Sequence, residues 1–206
     1  MPTHLETDPH QAFRRTVRAQ ALAVASQQLA DVGWDRVHMA GIAKAIGVSR
    51  PTLYAEFGRM EGLAEALVMT EAERFLDGIE AILRANDDQP LHAIEAAVAY
   101  AMAEAERSPI LLAILTSGRA EGPHSETLLT FITVRAESIL AILTDGTVKW
   151  FRRQCPNTPP EQVVEAVDAL VRLLISYLMS PSSHPEQTPG MFVWLTARML
   201  PELGAS

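Results

Sequence analysis

The chain has 206 residues, 48% of them hydrophobic and 20% charged, with a formal net charge of −8. That is enough apolar material to bury the core of one large or two small domains, and it excludes a disordered or fibrous chain. The acidic balance excludes a protein that coats nucleic acid, and the lack of any run of about eighteen apolar residues excludes a membrane-spanning helix.

Apolar periodicity is helical nearly throughout and β-branched alternation is absent, so the predicted fold is all-α, with roughly nine helices. Residues 1–11 are polar, contain Pro2 and Pro9, and read as a loose arm without the apolar centre of a secretory signal; a cytoplasmic protein is expected. A first helix runs from Phe13 to Val32, with Phe13, Val17, Ala21, Val24, Ala25 and Leu29 on one face, and stops at Gly33. Its basic start, Arg14, Arg15 and Arg18, reads equally as a set of phosphate contacts or as a solvated helix end.

From Trp34 to Leu63 the pattern is two short helices joined by Gly47-Val48-Ser49. Ile42, Ala43 and Ile46 form an apolar face, Gly47 supplies a backbone conformation that side chains resist, and Ser49 caps the next helix, with Pro51 in its first turn. At roughly 100° per residue, Leu53 and Phe57 point inward, Pro51, Thr52 and Ala55 point outward, and Arg50, Tyr54 and Glu56 flank them. A small, nearly uncharged outer face with a guanidinium at its edge suits a major groove, where Arg grips guanine and small groups approach thymine methyls.

A long helix from Glu61 to Arg84 follows, then a loop at Asn86–Pro90, a helix over Leu91–Arg107 and a short helix from Ser108-Pro109 to Thr116. After a loop at Gly118–Pro123, Ser125–Arg153 is helical, kinked or broken at Asp145-Gly146; Cys155–Pro160 ends it. Pro160–Met179 and Gly190–Leu200 close the chain, separated by a loop at Pro181–Pro189. The last two helices carry more apolar residues than one small body hides: Val163, Val167, Leu170, Val171, Leu174 and Leu178, then Phe192, Leu195 and Met199. Cys155 has no partner for an internal disulfide and reads as an inert thiol unless Arg152 and Arg153 turn toward it. His92, Glu95, Glu104 and Glu106 are the nearest thing to a catalytic set, but no second carboxylate–histidine set accompanies them, so neither catalysis nor a metal is expected.

The order Ile42-Ala43, Gly47-Val48-Ser49, Thr52-Leu53-Tyr54, Phe57 and Glu61, with Leu63 close behind, resembles the DNA-binding segment of TetR-type transcriptional regulators over roughly residues 12–66. Pro51 stands where that family often has Gly, His38 where a Thr often caps the second helix, and Met60 where a Lys often meets a phosphate, a role Arg59 is placed to take. The resemblance implies DNA contacts from His38, Lys44, Ser49, Arg50, Pro51, Thr52, Tyr54 and Arg59. It also implies a DNA-binding domain over 12–60 and a ligand-binding and dimerisation domain over 61–206. Charge is divided in the same way: residues 1–62 carry seven Lys/Arg against six Asp/Glu, and the remainder ten against nineteen.

By the same resemblance, the terminal helices pair with their twins through Val167, Leu170, Val171, Leu174, Leu178, Phe192, Leu195 and Met199, or else complete the chain's own core. A ligand pocket walled by Phe75, Tyr100, Met102, Leu111, Leu115, Phe131 and Tyr177 is implied, any one of which is otherwise plain core. The expected function is a homodimeric repressor that binds a pseudo-palindromic double-stranded DNA operator and is released by a small, lipophilic effector, without cofactor, metal or membrane. The alternatives are a helical enzyme using the apolar cavity, and an interaction module that no longer binds DNA.

Overall fold

A computed structural model describes residues 8–108, 111, 144–180 and 184–204. The described elements are all helical, as expected, with no strand among the described residues: α1 (Pro9–Val32), a 3-10 turn (Trp34–Arg36), α2 (Met39–Ala45), α3 (Arg50–Phe57), α4 (Met60–Ala85), α5 (Pro90–Arg107), α6 (residues 144–154), α7 (Pro160–Met179), α8 (Thr188–Met199) and a closing 3-10 turn (Pro201–Gly204). The expected helix to Thr116, the loop at Gly118–Pro123 and the helix from Ser125 up to residue 143 lie outside the described residues. Asp145 and Gly146 sit inside the helical run of α6.

The chain divides into two compact units between Thr70 and Glu71, inside α4. A helix that begins in one unit and ends in the other has no composition break, which is why the sequence suggested a boundary at residue 61 instead.

In the first unit, α1 begins earlier than the apolar pattern indicates. The Asp8 carboxylate accepts the His10 backbone N–H at 3.0 Å and Pro9 occupies the first turn, so residues 9–11 belong to the helix and not to an arm. Gly33, at φ +81°, ends it. Burial starts at Val17 and continues through Ala21, Leu22 and Ala25, whereas Phe13 is 52% exposed. These residues close over Met39, Ile42 and Ala43 of α2 and Leu53 and Phe57 of α3; α1 packs on both short helices, which pack on each other.

In the second unit the core joins Ala93, Ile94, Ala97 and Val98 of α5, Val148, Trp150 and Phe151 of α6, Val163, Ala166, Val167 and Leu170 of α7, and Phe192 of α8. The pairing of α5 with α8 is the most extensive between helices among the described residues. Asp87, in the loop before α5, accepts from the Trp150 indole and the Gln154 amide, each at 2.8 Å, and so ties α6 to that loop. Glu202 accepts from the Asn157 side chain at 2.7 Å and the Thr158 hydroxyl at 2.8 Å, fixing the turn that feeds α7.

Part of the expected dimer surface takes the other of its two expected places, the chain's own core. Val167 and Leu170 of α7 and Phe192 of α8 are buried within the single chain, in the core they share with α5 and α6. Val171, Leu174, Leu195 and Met199 pack partly buried against that core, and Leu178 is also partly buried. Among the described side chains, the large apolar ones that α7 and α8 leave exposed are Val164 and Trp194, the latter 56% exposed with the Arg198 guanidinium 4.9 Å from its ring centre.

Candidate nucleic-acid interface and apolar cavity

The turn between α2 and α3 is built by its backbone. Ile46 N–H donates to Ile42 C=O and Val48 N–H to Ala43 C=O, both at 3.0 Å, while Gly47 takes φ +71°. Ser49 then sits extended at the α3 N-cap; its Oγ accepts Thr52 N–H at 3.2 Å and lies 2.7 Å from the Thr52 hydroxyl. With that cap made and Pro51 in the first turn, Leu53 and Phe57 are driven into the core. Gly58 ends α3 at φ +71°, donating its N–H to Tyr54 C=O at 2.8 Å. The first turn of α4 passes so close that a Cβ on Gly62 would stand 2.0 Å from the Phe57 carbonyl oxygen.

Arg50, Pro51, Tyr54 and Ala55 are therefore presented to solvent by α3, Tyr54 being 49% exposed. Thr52 is half-buried, and both it and Ser49 are occupied with the cap. His38 stands at the N-cap position of α2 in extended backbone but makes no side-chain cap bond; it is exposed, as are Lys44 in the last turn of α2 and Arg59 between α3 and α4. All eight expected DNA-contacting residues thus fall between the N-cap of α2 and the start of α4.

Sequence reasoning missed Glu56. Its carboxylate, only 9% exposed as a side chain, accepts from Arg14 Nε at 2.9 Å and Arg18 Nη1 at 3.4 Å, and the Arg18 guanidinium lies 5.2 Å from the centre of the Phe57 ring. The i,i+4 spacing of the two arginines was the available signal for a shared partner.

The second unit contains an apolar cavity of about 80 Å³, lined by Phe75, Ile79 and Leu83 of α4, Ile94, Ala97 and Val98 of α5, Thr147 and Phe151 of α6, Leu170, Val171 and Leu174 of α7, and Phe192 of α8. Of the seven expected wall residues, Phe75 lines it. Tyr100 stacks on Phe75 with ring centres 5.9 Å apart, and Leu111 is buried in the same small cluster. Tyr177 packs edge-on against Phe192 and donates its hydroxyl to Met191 Sδ at 3.2 Å, while Met102 packs against the main core. Leu115 and Phe131 lie outside the described residues.

Beside this cavity a polar cluster joins α4 to the end of α5. Arg74 donates to Glu71 at 2.9 Å and to Glu104 at 2.6 Å; the Ser108 hydroxyl donates to Glu71 and accepts Leu111 N–H at 3.2 Å. Burial pushes the Glu71 carboxyl up, but hydrogen bonds from Arg74 and Ser108 more than offset it and hold the group below its ordinary value. Hydrogen bonds to Glu71 and Glu104 raise the pKa of Arg74. Burial raises the Tyr100 phenol, with the Glu104 charge adding to it. Tyr100 Oη lies where a Cβ on Gly78 would be, 2.1 Å away, so α4 carries glycine at that point.

The expected alternatives find little to build on. His92 and Glu95 are 3.8 Å apart and exposed on the surface, Glu104 is committed to Arg74, and no group of three metal-ligating side chains occurs among the described residues. Cys155 is buried, and burial followed by the Glu202 charge pushes its thiol up, while Arg152 and Arg153 are exposed. No described helix is long and apolar enough to cross a membrane.

Comparison with known proteins bears on both units. Residues 21–67 match the family model described as bacterial regulatory proteins, tetR family, and residues 89–198 match that of the bacterial tetracyclin repressor C-terminal domain. The chain is 28% identical over 171 residues to the HTH-type transcriptional regulator AlkX of Mycobacterium tuberculosis, covering 83% of this chain and 79% of that protein. It superposes on the TetR family repressor AlkX of Dietzia sp. strain DQ12-45-1b, implicated in biodegradation of n-alkanes, with a TM-score of 0.67 and 25% identity over 89% of this chain and 97% of that one. A further match in fold is RolR in complex with resorcinol, at TM-score 0.56 and 15% identity over 95% and 97% of the two chains.

Proposed function

Because the chain belongs to the TetR family, and is a DNA-binding transcriptional regulator and not an enzyme, we propose that it is a repressor that binds a pseudo-palindromic operator as a homodimer and leaves it when a lipophilic ligand binds. The observation that carries this reading is the sidedness of α3: Leu53 and Phe57 are buried while Arg50, Pro51 and Tyr54 face solvent. Arg50 reads a guanine edge or grips a phosphate, Pro51 and the methyl of Thr52 approach thymine methyls, and the Tyr54 hydroxyl meets a phosphate. His38, Lys44, Ser49 and Arg59 supply the surrounding backbone contacts. A dimer is needed because two such helices must reach successive major grooves, about 34–36 Å apart.

The cavity supports a ligand with an aliphatic body: among the described residues its lining is Phe, Ile, Leu, Val and Ala with Thr147, which offers dispersion contacts and no charged partner. The connection of one similar repressor with n-alkane degradation supports the same chemistry. The test is fluorescence anisotropy of the purified protein against duplex DNA from upstream of its own gene and a scrambled duplex, with and without medium-chain n-alkanes and the corresponding alcohols and acids. Binding at least about a hundredfold tighter than to the scrambled duplex, weakened by salt and by one ligand class, is the expected result. Equal binding to both duplexes, also after selection from random DNA, would leave only an interaction module.

A further inference from the structure

We propose that Glu56 is a specificity-determining residue of the DNA-binding head: by holding Arg14 and Arg18 it keeps two guanidiniums from phosphate and lowers the sequence-independent part of DNA affinity. The inference rests on the DNA-binding reading above and concerns how that binding is divided between bases and backbone.

The two arginines of α1 do not sit apart from the reading surface, because both reach onto α3 itself. Arg14 engages one carboxylate oxygen of Glu56 through Nε, Arg18 engages the other through Nη1, and Arg18 is further seated against the ring of Phe57. Glu56 is two residues from Tyr54 on a helix only about 12 Å long, so all three charges lie within roughly one screening length of the DNA that Arg50 and Tyr54 would touch. The side chains of Arg14 and Arg18 remain 64% and 45% exposed, whereas that of Glu56 is nearly enclosed between them. The three groups together present +1 and not +2, with one donor of each guanidinium already directed at a carboxylate. Sequence-independent affinity scales with the number of phosphates neutralised, so this arrangement removes up to two of them from non-cognate binding while leaving Arg50, Pro51 and Tyr54 free. Discrimination between sites is a difference of affinities, and lowering the term common to all sequences lets base reading dominate.

The experiment titrates wild type, Glu56→Gln, Arg14→Gln/Arg18→Gln and the triple variant against a labelled mixed-sequence duplex over a range of salt, with thermal unfolding of each. Glu56→Gln is expected to bind this duplex on the order of tenfold more tightly at low salt, with the slope of log K against log salt steeper by up to about two. The triple variant returns both quantities to wild-type values, and the double arginine variant stays within about threefold of wild type. A residue that merely braces the fold would move all three variants the same way. Equal or weaker binding by a folded Glu56→Gln protein overturns the inference. Should Glu56→Gln not fold, a large loss of binding by the double arginine variant overturns it equally, since those arginines would then already be on phosphates. Wild type that binds neither this duplex nor its own upstream DNA defeats the DNA-binding reading and the inference with it; wild type that binds while Glu56→Gln is unchanged defeats the inference alone.

Discussion

At the scale of single residues, the reading surface depends on positions that never face DNA. Gly62 is the sharpest case, because a methyl group there would stand 2.0 Å from the backbone oxygen of Phe57, and a backbone atom at the end of a capped helix cannot swing aside as a side-chain tip can. Gly62→Ala must push α3 and the start of α4 apart, loosening the seat of Phe57. We expect a loss of about 1–3 kcal/mol in urea unfolding together with weakened operator binding, whereas Gly204→Ala, where a Cβ meets nothing within 4 Å, serves as the silent control. The inward residues Leu53 and Phe57 and the cap Ser49 were legible from the sequence because period, cap and turn signal agreed. Glu56 and Gly62 were not, since each acts through an atom far away in sequence or on a neighbouring helix. Phe13 misled the periodicity for a related reason: it continues the apolar stripe of α1 into turns where burial has not yet begun.

At the scale of elements, helix existence and type among the described residues followed the apolar period, while ends shifted by a few residues wherever a cap lay beyond the pattern, as Asp8 does for α1. The clamp between α4 and α5 was invisible in advance: Glu104 read as a member of a weak catalytic set and Ser108 as the start of a short helix, and nothing in the sequence joined either to Glu71 or Arg74, some thirty residues earlier. Together they make a network whose pH response has a definite sign. The folded pKa of Glu71 is below its unfolded value of 4.5, so the group stabilises the fold above that pH, and the contribution fades as pH falls through the folded value. Glu71→Gln is therefore expected to unfold at a lower temperature than wild type near pH 7, with the gap narrowing as the pH falls from 4.5 toward the lowered folded value. Glu202, also held low despite desolvation by its bonds from Thr158 and Asn157, is present in both proteins and cancels in the difference. A gap that stays constant from neutral to acid pH would show that Glu71 acts through packing and not through its charge.

At the scale of the whole molecule, the two proposed activities meet in linkage: a ligand that weakens operator binding by some factor must itself bind less well to the operator-bound protein by the same factor. The proposed dimer would be the frame for this exchange, and the burial of Val167, Leu170 and Phe192 in the chain's own core shifts its expected centre to the surface that carries Val164 and Trp194. Trp194→Glu, which charges an exposed ring without disturbing the core, should convert a sedimenting dimer to monomer and reduce operator affinity by two orders of magnitude or more; an unchanged dimer would place the interface elsewhere. The cavity allows the complementary separation of function. Ala97 faces it from α5, and Ala97→Leu adds three carbon atoms to a space of about 80 Å³ whose walls are already apolar. Filling an empty apolar cavity costs little or stabilises slightly when the new side chain fits, so the dimer and its operator affinity should stay within about twofold of wild type. What should vanish is the response to the lipophilic ligand, measured as anisotropy with and without it, and with it the reciprocal weakening of ligand binding by operator. Retained response in a folded Ala97→Leu protein would mean that the ligand enters elsewhere in the body. Loss of DNA binding without any ligand would mean that occupancy of this space by carbon alone, from a side chain as from a ligand, is the releasing signal.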